Sequence, residues 1–180
     1  EIEIACAKVG AVLVAINWRL SDSEINYCIN LVKPKLVILS PKFKNKNKLS
    51  SIKNKKLISL NLNFEKLITN SEPYLGKSLG GGEDILVILF TSGTTGLPKA
   101  ANVSHRRFLL AAGMSARYLL RINEKDRMYN CLPLYHGTGL MIGLGAAVTV
   151  GASSVLKRKL SVGQFWGDIR KTNSTCFVYI

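Results

Sequence analysis

Nine consecutive residues, Thr91-Ser92-Gly93-Thr94-Thr95-Gly96-Leu97-Pro98-Lys99, combine the groups that hold phosphate. The hydroxyls of Thr91, Ser92, Thr94 and Thr95 can donate to phosphate oxygens. Gly93 and Gly96 allow backbone dihedrals that bring N–H groups close to an anion. Pro98 stiffens the exit, and Lys99 adds a positive charge at the far end. The run is not a Walker A loop, because it lacks a Gly-Lys-Ser/Thr ending after four variable residues. A plain hydrophilic turn is the competing reading of any short glycine-rich run. The hydroxyl density directly after a buried strand sets this one apart.

Other reactive side chains are sparse. His105 and His136 are the only histidines, too few and too far apart for a metal site, so no metal-ligating set is expected. Cys6, Cys28, Cys131 and Cys176 form no CxxC pair and fit buried thiols in a reducing compartment better than a disulfide frame.

The elements that must position the loop follow from apolar runs and punctuation. A helix ends before Gly10, and Ala11 to Ile16 reads as a buried strand. Ser21 or Asp22 caps a helix to about Leu31 with Ile25, Cys28 and Ile29 on one face. Strands are expected at Leu36–Leu39 and Lys56–Leu60, and Glu72–Glu83 reads as a mobile surface connection. Asp84 to Phe90 is the strongest strand and runs straight into the glycine-rich segment, the place where open α/β sheets carry ligand loops. Ser104 caps a helix through Leu109, Leu110, Met114 and Leu119. Further strands are expected at Met128–Leu132, Ser153–Leu156 and from Thr175, with helices after His136 and from Ser161 to about Lys171. Strand–helix alternation with near-continuous apolar strands gives an α/β fold of mostly parallel sheets flanked by helices.

The chain has 180 residues, 47% of them hydrophobic, which excludes a disordered tail. Its formal charge of +14 is unevenly placed: ten lysines and one acid, Glu65, lie between Lys33 and Lys66. That stretch lacks arginine and interleaves asparagine (Lys44-Asn45-Lys46-Asn47-Lys48), which reads as a solvated loop; no nucleic-acid partner is expected. Peripheral contact with anionic lipid is the use such a stretch can have. Leu132 to Leu156 carries no formal charge and is long enough to span a bilayer. Pro133, His136, five glycines and recurring Ser and Thr make it a buried helix followed by a strand instead. The opening Glu1 and the closing Phe177-Val178-Tyr179-Ile180 lead us to expect an internal fragment.

Thr91 to Lys99 resembles the phosphate-binding signature of the adenylate-forming superfamily of acyl-CoA synthetases, luciferases and adenylation domains. Leu97-Pro98-Lys99-Ala100-Ala101 with His105 and Arg107 is similar to the fatty acid transport protein branch, the very-long-chain acyl-CoA synthetases. Cys131-Leu132-Pro133-Leu134-Tyr135-His136 with Gly139 matches the same branch, as does Arg158-Lys159-Leu160-Ser161 leading to Phe165-Trp166, Asp168, Asn173, Thr175 and Tyr179-Ile180. Gly10-Ala11, Ile16-Asn17 and Tyr27-Cys28 fit more loosely. The resemblance covers most of the chain and is weakest in the variable, Lys/Asn-rich segment 33–83.

The resemblance implies that residues 1–180 are part of an N-terminal AMP-binding domain, in a ligase that turns a long- or very-long-chain fatty acid into acyl-adenylate and then acyl-CoA. ATP, Mg²⁺ and CoA are its implied cofactors and co-substrates. Thr91, Ser92, Gly93, Thr94, Thr95 and Gly96 become the phosphate cradle. Lys99 neutralises phosphate, anchors the loop to a carboxylate, or is a solvated loop lysine. His136 contacts or gates the acyl pocket, or is a satisfied histidine capping the next helix. Tyr135 and Gly139 are pocket or packing residues, with packing favoured, and His105 is structural. A ligase for another carboxylate (bile acid, carnitine-like or aromatic) and a fatty-acid carrier without catalysis remain alternatives. The resemblance places the adenine and ribose motifs, the Mg²⁺-binding glutamate and the lysine of the C-terminal domain beyond Ile180, so the fragment alone is expected to be inactive. The implied location is the cytoplasm or the cytosolic side of a membrane. The oligomeric state is not implied.

Overall fold

The computed structural model describes residues 1–43, 49–91 and 96–179. The chain divides into two compact units. One comprises residues 1–15, 78–89 and 101–180, the other residues 16–77 and 90–100. Three small sheets carry the architecture, in the strand orders β1-β4-β5, β2-β3 and β7-β6-β8. Their strands are β1 (Leu13–Ala15), β2 (Leu36–Leu39), β3 (Lys56–Ser59), β4 (Ile85–Thr91), β5 (Lys99–Ser104), β6 (Arg127–Asn130), β7 (Ser153–Leu156) and β8 (Cys176–Val178). The pairings β1–β4, β2–β3, β6–β7 and β6–β8 are parallel, as the apolar, doubly covered strands require.

In the smaller unit, helix α2 (Asp22–Val32) is capped by Ser21 rather than by Asp22. Glu24 N–H donates to Ser21 Oγ, and Ser21 N–H donates to the Glu24 carboxylate at 2.8 Å, a reciprocal capping box. Ser21 Oγ–H, which donates to Glu24 Oε2 at 2.7 Å, and then Ser21 N–H hold the Glu24 carboxyl below its ordinary range. Ile25 and Ile29 bury against Leu49 and Ile52, with Val37 and Leu39 of β2 packed on the cluster. Helix α3 (Leu62–Thr69) is an element the lysine-rich composition concealed. Its start is set by Asn61, whose side-chain oxygen accepts from Asn63 N and Phe64 N. Lys44 to Lys48 lie outside the described residues.

In the larger unit, helix α1 (Ile2–Lys8) ends before Gly10, at φ +67°. Ala11 N–H donates back to Cys6 O, so Ala11 is held to the helix end and pairing with β4 begins only at Leu13. The expected strand from Ala11 to Ile16 is therefore shorter. Helix α4 (His105–Met114) is capped by Ser104 Oγ, which accepts from Arg107 N at 3.2 Å. His105 N and Arg106 N donate to Asp84 O and Gly82 O, so a turn of the glycine-rich connection satisfies the same helix end. That connection has no regular structure, but Leu79 N donates to Lys8 O and ties it down. Past Met114 the helix winds on in π form through Ser115–Leu120.

A second π-wound stretch, Thr138–Gly145, continues into α5 (Ala146–Thr149), and α6 (Val162–Thr172) precedes β8. Among the described residues no helix is long and apolar enough to cross a membrane. Leu140 of the π-wound stretch is buried with Leu86, Val87 and Leu89 of β4, while Leu134 and Met141 pack on the same cluster. Each such side chain, fully buried, is worth about 1.5–3 kcal/mol. The helix comes this close because it lacks side chains where the neighbours lie. A Cβ on Gly143 would fall under 3.0 Å from the Asn130 amide, and one on Gly139 under 3.0 Å from the Pro133 carbonyl oxygen.

Gly143→Ala therefore lowers stability by about 1–3 kcal/mol through overpacking. In an Asn130→Ala background the obstructing amide is gone, and the same change costs little. Denaturant unfolding of the four proteins checks this, with non-additivity of at least about 0.5 kcal/mol expected.

Candidate functional site

The first group of site residues sits at the edge of β4 and β5. Thr91 is the last residue of β4 and Lys99 the first of β5, and the two strands are neighbours. Thr91 Oγ1 donates to Lys99 O at 3.4 Å, which joins the two strand ends. The Thr91 hydroxyl thus acts as a clasp between the two strand ends. Gly96 has φ +126°, a conformation that side-chain-bearing residues rarely adopt, and nothing lies within 4 Å of where its Cβ would be. Glycine is required here by the backbone, and the space beside it is open.

Pro98 is buried and fixes the exit, leaving Lys99 exposed. Among the described residues no carboxylate pairs with Lys99, which leaves its charge available to an anion. Ser92, Gly93, Thr94 and Thr95 lie outside the described residues.

The second group sits on the bend between β6 and the π-wound helix. Tyr135 is partly buried and His136 exposed. His136 N donates to Pro133 O at 3.1 Å, and His136 O accepts from Leu140 N at 3.0 Å. The ring Nδ1 accepts from Thr138 N at 3.4 Å, so His136 caps the helix it precedes. An accepting Nδ1 puts the proton of the neutral ring on Nε2. Gly139 is buried and its role is packing, since the Pro133 carbonyl occupies its Cβ position.

Two features escaped the sequence reading. Asn130, 1% exposed, donates from Nδ2 to Gly139 O at 2.8 Å and accepts at Oδ1 from Leu132 N at 3.1 Å. Its signal was a polar residue closing an otherwise apolar strand. Beside it, Cys131, Leu132, Phe165, Trp166, Phe177 and Tyr179 line an open apolar groove of about 270 Å³. The wall behind it is rigid. Phe165 meets Tyr129, Trp166 and Phe177 edge-on, with ring centroids 5.0–5.5 Å apart.

The His105 ring packs on Gly80, where a Cβ would lie 2.9 Å from Nε2. Arg158 and Lys159 are exposed on a bend. All four cysteines are free thiols, and burial pushes each of them up, Cys28 to about 11. Among the described residues no group of three His, Cys, Asp or Glu is placed to hold a metal.

The molecule is thus an α/β protein of largely parallel sheets, with a glycine- and hydroxyl-rich segment following a buried strand. The family model of the AMP-binding enzymes matches residues 1–180, and the chain belongs to that family. Long-chain fatty acid transport protein 6 of Mus musculus is 33% identical over 97% of this chain and 30% of its own length. Long-chain fatty acid transport protein 1 of Homo sapiens is 44% identical over 56% of this chain and 15% of its own. The chain therefore spans at most about 30% of these relatives. Among solved structures, ATP-bound MatB from Rhodopseudomonas palustris superposes with a TM-score of 0.83 over 98% of this chain and 35% of its own, at 22% identity. The o-succinylbenzoate CoA synthetase MenE from Bacillus subtilis gives 0.82 over 98% and 44%, at 24% identity. At that identity the likeness establishes the fold.

The strand leading into the second group has a titration signature. Burial, and then the hydrogen bond to Asp168 at 3.0 Å, pushes the Tyr129 phenol up to about 12. Lys157, 2.9 Å from the same carboxylate, and Tyr129 hold Asp168 below its ordinary range. An unfolded tyrosine ionises near pH 10, roughly. Between that pH and about 12 the unfolded chain has lost a proton the folded chain keeps, so stability falls as pH rises. Unfolding midpoints across that window should fall less steeply for Tyr129→Phe than for the unaltered chain. Equal slopes would contradict the assignment.

Proposed function

We propose that the protein containing this chain activates a long- or very-long-chain fatty acid with ATP and passes the acyl group to CoA. A carboxylate oxygen attacks the α-phosphorus of ATP, the bond to pyrophosphate breaks, and acyl-adenylate forms. The CoA thiol, losing its proton, then attacks the acyl carbonyl carbon and AMP leaves. The observation that carries this reading is the segment between Thr91 and Lys99. Its ends are joined by a hydrogen bond, its backbone requires glycine at 96 beside open space, and among the described residues no carboxylate pairs with the lysine at its exit.

The first step brings one anion to another, so its barrier is electrostatic. N–H and hydroxyl donors at 92–96, with Lys99, offset the charge of the β- and γ-phosphates and of departing pyrophosphate. Mg²⁺ arrives with the nucleotide and offsets charge on the same oxygens. His136 offers Nε2–H as a donor toward the carboxylate while its Nδ1 stays on Thr138 N, and it adds no negative charge. The choice of fatty acid is supported by the names of the relatives.

ATP–pyrophosphate exchange by the full-length protein tests this. Long-chain fatty acids should support exchange where acetate and amino acids do not. Thr94→Ala, Thr95→Ala and Gly96→Ala should each lower it by about 10²-fold or more, the usual loss on removing a transition-state donor. Exchange with acetate or amino acids alone would reject the substrate class, and undiminished exchange in the variants would reject the loop's role.

A further inference from the structure

We propose that Asn130 is a positioning residue for the His136 bend, an inference that rests on the adenylation reading above. Asn130 ends the central strand of the β7-β6-β8 sheet, with its backbone fixed against Leu156 and Val178. Its own carbonyl accepts from Lys157 N at 2.9 Å. From that anchored position the side-chain amide reaches both ends of the bend. Oδ1 takes Leu132 N where the chain leaves the strand, and Nδ2 gives to Gly139 O where it has entered the helix. Tyr135 and His136 lie between these two points.

Only a group with one acceptor and one donor at amide spacing makes both bonds at once. The surroundings admit no sideways slip. The amide occupies the space a Cβ on Gly143 would take, and Gly139 lies against the Pro133 carbonyl. Without the amide, Leu132 N–H loses its partner and Gly139 C=O loses one of its bonds, and the bend relaxes to recover them. His136 moves with the bend, because its N–H, its C=O and its Nδ1 are all bonded to residues of this same turn. Asn130 therefore sets where the Nε2–H donor points without touching the reacting carboxylate.

The test uses the full-length protein with Asn130→Leu, and Asn130→Ala/Gly143→Ala as a second variant should the first fail to fold. KM for the fatty acid should rise, or kcat fall, by about tenfold, the scale of one misdirected hydrogen bond. KM for ATP should stay within about twofold. In histidine-labelled protein, assigned with His136→Gln, the ¹⁵N resonances of His136 should move from the pure Nε2–H tautomer toward a mixture. An unchanged tautomer signature overturns the proposal. So does a loss that only scales kcat with the fraction of folded enzyme. Absence of exchange in the unaltered protein refutes the adenylation reading alone, and the imidazole signature then decides on Asn130.

Discussion

How close the π-wound helix at Thr138–Gly145 comes to β6 is the constraint on which the larger unit depends. Two missing side chains, at Gly139 and Gly143, permit the approach, and the amide of Asn130 fixes it. Once the helix is at that distance, Leu140 reaches the buried row of β4 and Gly145 admits Phe108 and Ala112 of α4. The strand that leads to Thr91 and the bend that carries His136 then share one apolar cluster. A single polar group thereby connects sheet, helix and bend. A buried amide left with one bond would be worse than an apolar side chain, and here both bonds are made.

The strands and helix starts were legible wherever a local rule decides them. Buried parallel strands read as apolar runs, and β7 was placed to the residue. Ser21 and Ser104 read as caps because the following residues offered the right N–H groups. Helix α3 was not legible, since alternating lysine and asparagine upstream masked a short amphipathic segment whose start depends on Asn61. Strand β5 was hidden because it follows a glycine-rich segment, where a turn leading directly to a helix is the simpler expectation. It forms because β4 offers its free edge.

The candidate site divides in the same way. Residue types at fixed spacing made Thr91 to Lys99 and Pro133 to His136 visible. What those residues do depends on partners distant in sequence, and that was hidden. Thr91 is a clasp because Lys99 C=O stands opposite, and His136 is a helix cap because the bend folds its ring onto Thr138 N. Asn130 matters through Gly139, nine positions on. The formal charge of +14 was a poor guide to the site. The single charge that bears on it, Lys99, belongs to a loop that is otherwise neutral.

The central step is attack of the carboxylate on the α-phosphorus of ATP rather than on the terminal phosphorus. Both routes yield an activated acyl group and differ in where one carboxylate oxygen ends. The full-length protein should be run for several turnovers with CoA, ATP and a long-chain fatty acid bearing ¹⁸O in both carboxyl oxygens, and the products examined by mass spectrometry. One ¹⁸O in AMP per thioester formed, with pyrophosphate unlabelled, is the predicted result. Label in inorganic phosphate, with AMP unlabelled, would contradict it.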